Sequence, residues 1–70
     1  MSKNIDRNIP GQILEYIQNK NMSIGDILPS ERHLAELIKA SRNSVREALK
    51  KLEALEILEI KRSIKLVIYK

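Results

Sequence analysis

Residues 28–58 read LPSERHLAELIKASRNSVREALKKLEALEIL, and this stretch predicts two amphipathic helices, here helix 2 and helix 3, joined by a very short turn. Ser30 and Ser41 stand where each helix begins, and a serine at that position can accept a hydrogen bond from a free backbone N–H group. Glu31 suits the positive N-terminal end of helix 2. Two helices so closely joined are typical of a helix-turn-helix.

Apolar residues recur at helical spacing in both helices, which places them on one face of each. In helix 2 the predicted buried set is Leu34, Leu37 and Ile38, and the pattern breaks at Lys39 and Ala40. In helix 3, about residues 41–55, the predicted buried set is Val45, Ala48, Leu49 and Leu52, with Leu55 just behind it.

The opposite side of helix 3 is polar. At about 100° per residue, Asn43, Arg46 and Lys50 fall within a narrow arc away from the apolar stripe, and Arg42 lies near its border. Arginine can bond a guanine through two donors and asparagine can bond an adenine, whereas serine hydroxyls and helix N-terminal N–H groups suit phosphate. The start of helix 3 therefore offers groups for both the bases and the backbone of DNA.

A further helix is predicted before this pair, from about Ile9 to Asn21, because Ile9, Ile13, Tyr16 and Ile17 form one stripe. Pro10 suits its first turn. Residues 23–26 predict a turn, and residues 1–8 predict a flexible N-terminal arm.

After Leu58 the apolar period changes to two, which predicts a two-stranded hairpin with a basic tip around Arg62. Leu58, Ile60, Leu66 and Ile68 are expected to lie on the helices, because an isolated hairpin is only marginally stable. The predicted fold is mostly α with a small β-hairpin, a winged helix-turn-helix over residues 9–70.

The composition allows one domain with a small aliphatic core. The chain has 70 residues and is 43% hydrophobic, but it has no Cys, Phe or Trp. No apolar run approaches the roughly 18 residues of a membrane helix, and the first residues lead into polar sequence rather than a signal peptide. We therefore expect a cytoplasmic protein with no membrane contact.

Catalysis and metal binding have no support in the sequence. His33 is the one histidine, no cysteine accompanies it, and the carboxylates occur singly. No glycine-rich loop precedes a helix with a phosphate-binding lysine. We expect no enzyme activity, no cofactor and no metal.

The charge distribution favours a polyanionic partner. Thirteen basic and nine acidic residues give a formal net charge of +4. The basic residues concentrate in helix 3 and the C-terminal segment, at Arg42, Arg46, Lys50, Lys51, Lys61, Arg62, Lys65 and Lys70. A basic stripe on such a helix is the electrostatic footprint expected for a phosphate backbone.

Two blocks of the chain match a known family in residue type and spacing. The matching pieces are Gly25-Asp26, Leu28-Pro29-Ser30-Glu31-Arg32, Leu34-Ala35-Glu36, Ser41-Arg42-Asn43-Ser44-Val45-Arg46-Glu47-Ala48-Leu49 and Leu52-Glu53-Ala54-Leu55. From about Ile9 to Ile68 the chain resembles the GntR-type winged-helix transcription regulators, especially their FadR-like members.

The resemblance implies DNA contacts from Arg32, Arg42 and Arg46, with Asn43 and Ser44 also at contact positions. In this family the domain precedes a larger domain that binds a small-molecule effector and dimerises. No such domain follows Lys70, so we expect the chain to be an isolated DNA-binding fragment.

Four positions depart from the family pattern. Lys39 stands in the turn where the family has Gly or Asn, and Glu56 stands where it has Gly before the first strand. If either site needs a positive φ, a side chain there costs about 1 kcal/mol. Ser63 and Lys65 replace wing glycines, which puts the wing's contact with the minor groove in question.

These observations predict sequence-specific binding of double-stranded DNA by a transcription regulator that acts as a repressor. Helix 3 would lie in the major groove, and the wing, about residues 58–69, on the backbone or in the minor groove. Two copies, from a homodimer of the intact regulator, are expected on a pseudo-palindromic operator. The predicted DNA-contacting residues are Arg32, Ser41, Arg42, Asn43, Ser44, Arg46, Lys50 and Arg62.

Each assignment has a simpler alternative. Arg42 and Arg46 can be solvated charges, Arg32 can form a surface ion pair, and Ser41 can act as a cap alone. For the whole chain, the alternative is a winged helix used for protein contacts or assembly, whose basic face meets an acidic partner.

Overall fold

The computed structural model describes residues 8–68, which form three helices and a small antiparallel sheet. In chain order the elements are α1 (Ile9–Asn19), β1 (Ile27–Leu28), α2 (Glu31–Ile38), α3 (Arg42–Ala54), β2 (Leu58–Ile60) and β3 (Ile64–Leu66). This confirms the predicted class, mostly α with a small β wing. No helix within residues 8–68 is long and apolar enough to span a bilayer.

Each helix begins at a polar side chain that accepts a backbone N–H. The acceptor oxygens are Asn8 Oδ1 for Gly11 at 3.1 Å, Ser30 Oγ for His33 at 3.2 Å and Ser41 Oγ for Ser44 at 3.1 Å. The two serine caps were predicted, but the cap of α1 was not. Asn8 falls within the predicted flexible arm, whose other residues, 1–7, lie outside the described part of the chain.

The three helices also end in the same way, at a non-glycine residue in the left-handed region. Asn21, Lys39 and Glu56 have φ values of 53°, 56° and 63°. In each case the next residue donates its N–H to a carbonyl five residues back: Met22 to Ile17 at 3.1 Å, Ala40 to Ala35 at 3.0 Å and Ile57 to Leu52 at 3.0 Å. This is the bond that satisfies a free carbonyl in the Schellman motif, where glycine is the usual left-handed residue.

These endings settle two expectations. The family pattern leaves open whether Lys39 and Glu56 need a positive φ, and the structure shows one at both positions. Helix α1 stops at Asn19 rather than Asn21, because the left-handed Asn21 cannot continue a right-handed helix.

The sheet has three strands in the order β1-β3-β2, not the predicted two. In the hairpin, Leu58 lies opposite Leu66 and Ile60 opposite Ile64. The additional strand, β1, pairs Leu28 with Ile64 on the other edge of β3. Two residues are too few to show a period, so β1 has no periodic signal in the sequence.

The hairpin is shorter than predicted. β3 ends at Leu66, after which the N–H groups of Val67 and Ile68 both donate to the Ile57 carbonyl oxygen, at 2.9 and 3.2 Å. Ile68 is 41% exposed, so the expectation that it packs on the helices is wrong. Tyr69 lies outside the described residues.

The core lies between one face of each helix and one face of the sheet. Its members are Ile9, Ile13, Ile17, Leu28, Leu34, Ala35, Val45, Ala48, Leu49, Leu52, Ile57, Leu58, Ile64 and Leu66. The predicted stripes of α1 and α3 are confirmed, except that Tyr16 is only partly buried and Leu55 is 63% exposed. The prediction that Leu37 is buried is also wrong. Its side chain is 47% exposed, because α2 buries the flank that carries Leu34 and Ala35.

Helix α3 is the central element, since it packs against α1, α2 and β2. Its apolar face is enclosed by these three elements, and its N-terminal polar face remains outside. The fold therefore fixes which side chains of α3 a partner can reach.

Replacing the left-handed Glu56 by glycine tests the strain at this helix end. Glu56→Gly is expected to raise the free energy of unfolding by about 1 kcal/mol, because glycine adopts positive φ without the clash of a Cβ. Urea unfolding followed by circular dichroism measures it. Glu47→Gly, the same change inside α3, serves as the control and is expected to lower stability by about 1 kcal/mol. A loss of stability in both variants would contradict the assignment.

Candidate nucleic-acid interface

All eight predicted DNA-contacting residues are exposed. Those of α3 and its cap are Ser41, Arg42, Asn43, Ser44, Arg46 and Lys50, while Arg32 is on α2 and Arg62 on the wing tip. Two clefts flank α3, and five of the eight residues line one or the other.

The first cleft lies between α3, the start of α2 and the wing. Arg46, Lys50 and Arg62 line it together, above a floor that includes Leu49 and Ile64. With Lys61, four cations line this cleft against the two carboxylates of Glu31 and Glu53, so the formal charge of its lining is positive.

The second cleft lies between α3 and the start of α1. Asn43 and Ser44 line it with Glu47 and Lys51. Arg32 lines neither cleft, and within residues 8–68 it forms no ion pair with Glu31 or Glu36. The ion-pair alternative for Arg32 is therefore not observed.

A carboxylate from α2 contacts both arginines of α3, which are its first and fifth residues. Arg46 donates through Nε to Glu31 Oε2 at 3.0 Å and through Nη2 to Glu31 Oε1 at 3.2 Å. Arg42 Nε lies 3.5 Å from the same Oε1. Glu31 is the first residue of α2, so the start of α2 and the exposed face of α3 are connected through this side chain.

The ion pair changes the protonation equilibria of both partners. The hydrogen bond from Arg46 lowers the pKa of the Glu31 carboxyl; partial burial opposes the shift, and the charges of Arg46 and Arg42 add to it. The hydrogen bond to Glu31 also raises the pKa of Arg46. Both groups are therefore charged at neutral pH, and the contact is a charge-assisted bidentate pair.

The hydroxyls at the start of α3 are already hydrogen-bonded to each other. Ser41 Oγ accepts the N–H of Ser44 at 3.1 Å and donates to Ser44 Oγ at 2.9 Å. Ser41 thus caps the helix, as predicted, and a cap at a groove-facing helix can also contact DNA. The Ser44 hydroxyl accepts that bond and keeps its own proton for an outside acceptor such as a phosphate oxygen.

The wing is attached to α3 and closes without glycine. Glu53 on α3 accepts the Ile60 N–H at 3.2 Å, and Lys61 N–H donates to the Ser63 carbonyl at 3.2 Å across the tip. None of residues 61–63 has a positive φ, so the turn itself does not require glycine. The tip presents Lys61 and Arg62, both exposed, with Lys61 Nζ 3.4 Å from Glu59 Oε2.

Sequence reasoning missed the role of Glu31. Its position predicted only a favourable interaction with the helix terminus, and its bond to Arg46 spans 15 residues of sequence. No local spacing rule connects residues on two different helices. Over the described residues, no group of three or more His, Cys, Asp or Glu side chains could hold a metal ion.

Comparison with known proteins gives a family match over most of the chain. The model of the family described as bacterial regulatory proteins, gntR family, matches residues 6–65. Two curated relatives are each 44% identical to the chain over 59 residues, covering 79% of it. They are an uncharacterized HTH-type transcriptional regulator from Mycobacterium bovis and the HTH-type transcriptional regulator Mce2R from Mycobacterium tuberculosis. The chain spans about a quarter of their length, 25% in both cases.

Solved structures with the same fold are found in two further bacteria. PhnF from Mycobacterium smegmatis matches with a TM-score of 0.75 and 28% identity, over 89% of this chain and 27% of that one. A GntR family transcriptional regulator from Listeria monocytogenes matches with a TM-score of 0.72 and 27% identity, over 91% and 61%. The fold is thus a winged helix-turn-helix that occurs in larger regulators.

The pKa of Glu31 predicts an acid-dependent contribution to stability. Because its folded pKa lies below the ordinary value of 4.5, the ion pair stabilises the fold fully above about pH 4.5 and is lost as the pH falls through the folded value. The difference in unfolding free energy between the wild type and Glu31→Gln should be constant near neutral pH and shrink below pH 4.5. Urea unfolding measured across this range tests it. A difference that stayed constant into acid would show that the carboxylate does not stabilise the fold through its charge.

Proposed function

Because the chain belongs to the gntR family of bacterial regulatory proteins, we propose that it binds double-stranded DNA sequence-specifically, with α3 in the major groove. The observation that carries this proposal is the polar face of α3, where Arg42, Asn43, Arg46 and Lys50 are all exposed within the first nine residues of the helix. An α-helix fits the major groove of B-DNA, and its N-terminal residues reach base edges first.

The side chains on this face divide by chemistry. Arg46 and Asn43 can each make paired hydrogen bonds with a base, so we assign them to sequence readout. Lys50 and Lys51 are point charges on flexible stems, and we assign them to phosphate contacts that add affinity without specificity. The free proton of the Ser44 hydroxyl, described above, suits a phosphate oxygen.

The wing is assigned to the DNA backbone. Arg62 shares a cleft with Arg46 and Lys50, so a duplex held on α3 passes close to the wing tip. The tip carries two exposed cations and no glycine, which favours contact through basic side chains over close approach of the wing backbone.

One copy of so small a domain makes few phosphate contacts, and specific affinity in such systems comes from pairing two half-sites. We therefore propose that two copies bind a pseudo-palindromic operator within a longer, homodimeric regulator, and that the rest of that regulator binds the effector. Occupancy of the groove excludes other proteins from the same DNA, which favours repression as the outcome. The cytoplasm, where a bacterial chromosome lies, is the expected location.

Selection of bound duplexes from a random-sequence pool tests the proposal directly. The 70-residue chain is used alone and as two copies joined by a flexible linker. The single chain should enrich one short half-site, and the linked pair should enrich an inverted repeat. The logarithm of affinity should fall linearly with the logarithm of salt concentration, by roughly 0.9 per phosphate contacted. Failure to enrich any base pair, even at low salt, would favour the alternative of an acidic protein partner.

Two substitutions on α3 separate readout from charge. Arg46→Ala is expected to weaken binding to the selected duplex by about 1–3 kcal/mol and to relax the preference at one base pair. Lys51→Ala should weaken selected and scrambled duplexes alike, because it removes only a phosphate contact. Fluorescence anisotropy on both duplexes measures the effects. Equal losses on both duplexes for Arg46→Ala would remove Arg46 from base readout.

A further inference from the structure

Glu31 occupies only one edge of the Arg46 guanidinium. A guanidinium carries five N–H groups, one on Nε and two on each Nη nitrogen. The carboxylate takes the N–H of Nε and one N–H of Nη2, at 3.0 and 3.2 Å. The two N–H groups of Nη1 and the second one of Nη2 are not used by this contact. One N–H of Nη1 and one of Nη2 point in parallel from the end of the planar guanidinium, and the other N–H of Nη1 points along its far side.

We propose that Glu31 is a positioning residue, which fixes the guanidinium of Arg46 so that its free end reads a guanine. Guanine presents two acceptors, O6 and N7, side by side in the major groove, and the free Nη1 and Nη2 edge offers two parallel donors to match them. The inference rests on the proposed function, since it assumes that α3 faces a duplex.

The carboxylate is well placed for this role. Glu31 is the first residue of α2, immediately after the Ser30 cap, and its side chain is only 24% exposed. The backbone that carries it is anchored, because Ser30 Oγ accepts the His33 N–H at 3.2 Å and Leu34 is fully buried. A long, rotamer-rich side chain loses freedom when it binds a partner, so an arginine that is already held loses less on binding DNA.

Arg46 nevertheless remains accessible. Its side chain is 49% exposed although it makes two bonds to Glu31. Arg42, at 63% exposed, contacts the same carboxylate from 3.5 Å. Two cations therefore share one anion, and a net positive charge faces outward at this point of α3, as contact with a phosphate backbone requires.

The opposite role, in which Glu31 masks Arg46 and must release it before DNA can bind, fits the geometry less well. Masking would require the donors that a base needs to be occupied, whereas the contact uses the Nε edge and leaves the end of the guanidinium free. The two roles predict opposite changes when the carboxylate is removed, so they can be separated by experiment.

The test compares three variants of the 70-residue chain on the duplex enriched by selection and on a scrambled duplex. Glu31→Asp keeps the charge but withdraws the carboxylate by one methylene, and Glu31→Gln removes the charge while keeping the shape. Glu36→Gln removes an exposed charge from the same helix without touching Arg46, and is the matched control. Circular dichroism at the assay temperature confirms that each variant is folded.

Glu31→Gln is expected to lower the ratio of affinity for the selected duplex to affinity for the scrambled duplex roughly tenfold. Glu31→Asp should lower the same ratio without raising affinity for the scrambled duplex. Both should relax the preference at the base pair that Arg46→Ala relaxes. Replacing the guanine there by 7-deazaguanine, which lacks the N7 acceptor, should weaken the wild type and leave both Glu31 variants almost unaffected. Glu36→Gln should raise both affinities together and leave the ratio unchanged.

Two results would overturn the inference alone. In one, the wild type selects a motif and both Glu31 variants keep its full base preference. In the other, Glu31→Gln gains more affinity for the selected duplex than Glu36→Gln does, which would assign Glu31 to masking. A wild type that enriches no base pair would instead overturn the proposed function, and the inference with it.

Discussion

The structure depends on the burial of one face of α3 against three other elements. Val45, Ala48, Leu49 and Leu52 are each at most 3% exposed, and they are covered by α1, α2 and β2. The free energy of unfolding of so short a chain is expected to be small, because a small domain buries a smaller fraction of its surface than a large one. The same packing that holds the fold together also determines the outward direction of Arg46 and Lys50. The same packing therefore fixes both the fold and the direction in which the polar face of α3 points. Rotating α3 to point that face elsewhere would expose its buried apolar residues.

The sequence was informative where one helix repeats a pattern over several turns, and uninformative where the structure depends on contacts between elements. The stripes of α1 and α3 could be predicted because apolar residues recur through each helix. Leu37 and Leu55 were wrongly placed inside because periodicity locates an apolar arc but not its exact edge, which depends on what packs there. Strand β1 had no signal, since its two residues pair with β3 from far away in sequence.

The candidate site shows the same division. The exposed residues of α3 could be predicted by elimination, because whatever does not belong to the buried stripe faces outward. Glu31 could not be assigned its partner, because the bond to Arg46 depends on the distance between the start of α2 and the middle of α3. That distance is set by the very short turn at Lys39 and Ala40, where Ala40 N–H bonds to the Ala35 carbonyl at 3.0 Å. The left-handed Lys39 ends α2 within this turn and so contributes to the relative placement of the two helices.

A carboxylate beside two arginines is unexpected on a face proposed to bind DNA. On the proposed function, its presence is explained by the difference between affinity for any duplex and specificity for one. On electrostatic grounds alone, Glu31 reduces attraction to a polyanion, and an uncharged residue there would bind any duplex more tightly. A regulator competes against a large excess of non-specific DNA, so the ratio of its affinities matters more than either value. A charge that weakens binding to all duplexes but holds one arginine in a fixed orientation raises that ratio. On the proposed function, the contact between Glu31 and Arg46 would favour discrimination at the expense of general attraction, while Lys50, Lys51 and the cations of the wing tip would supply the attraction.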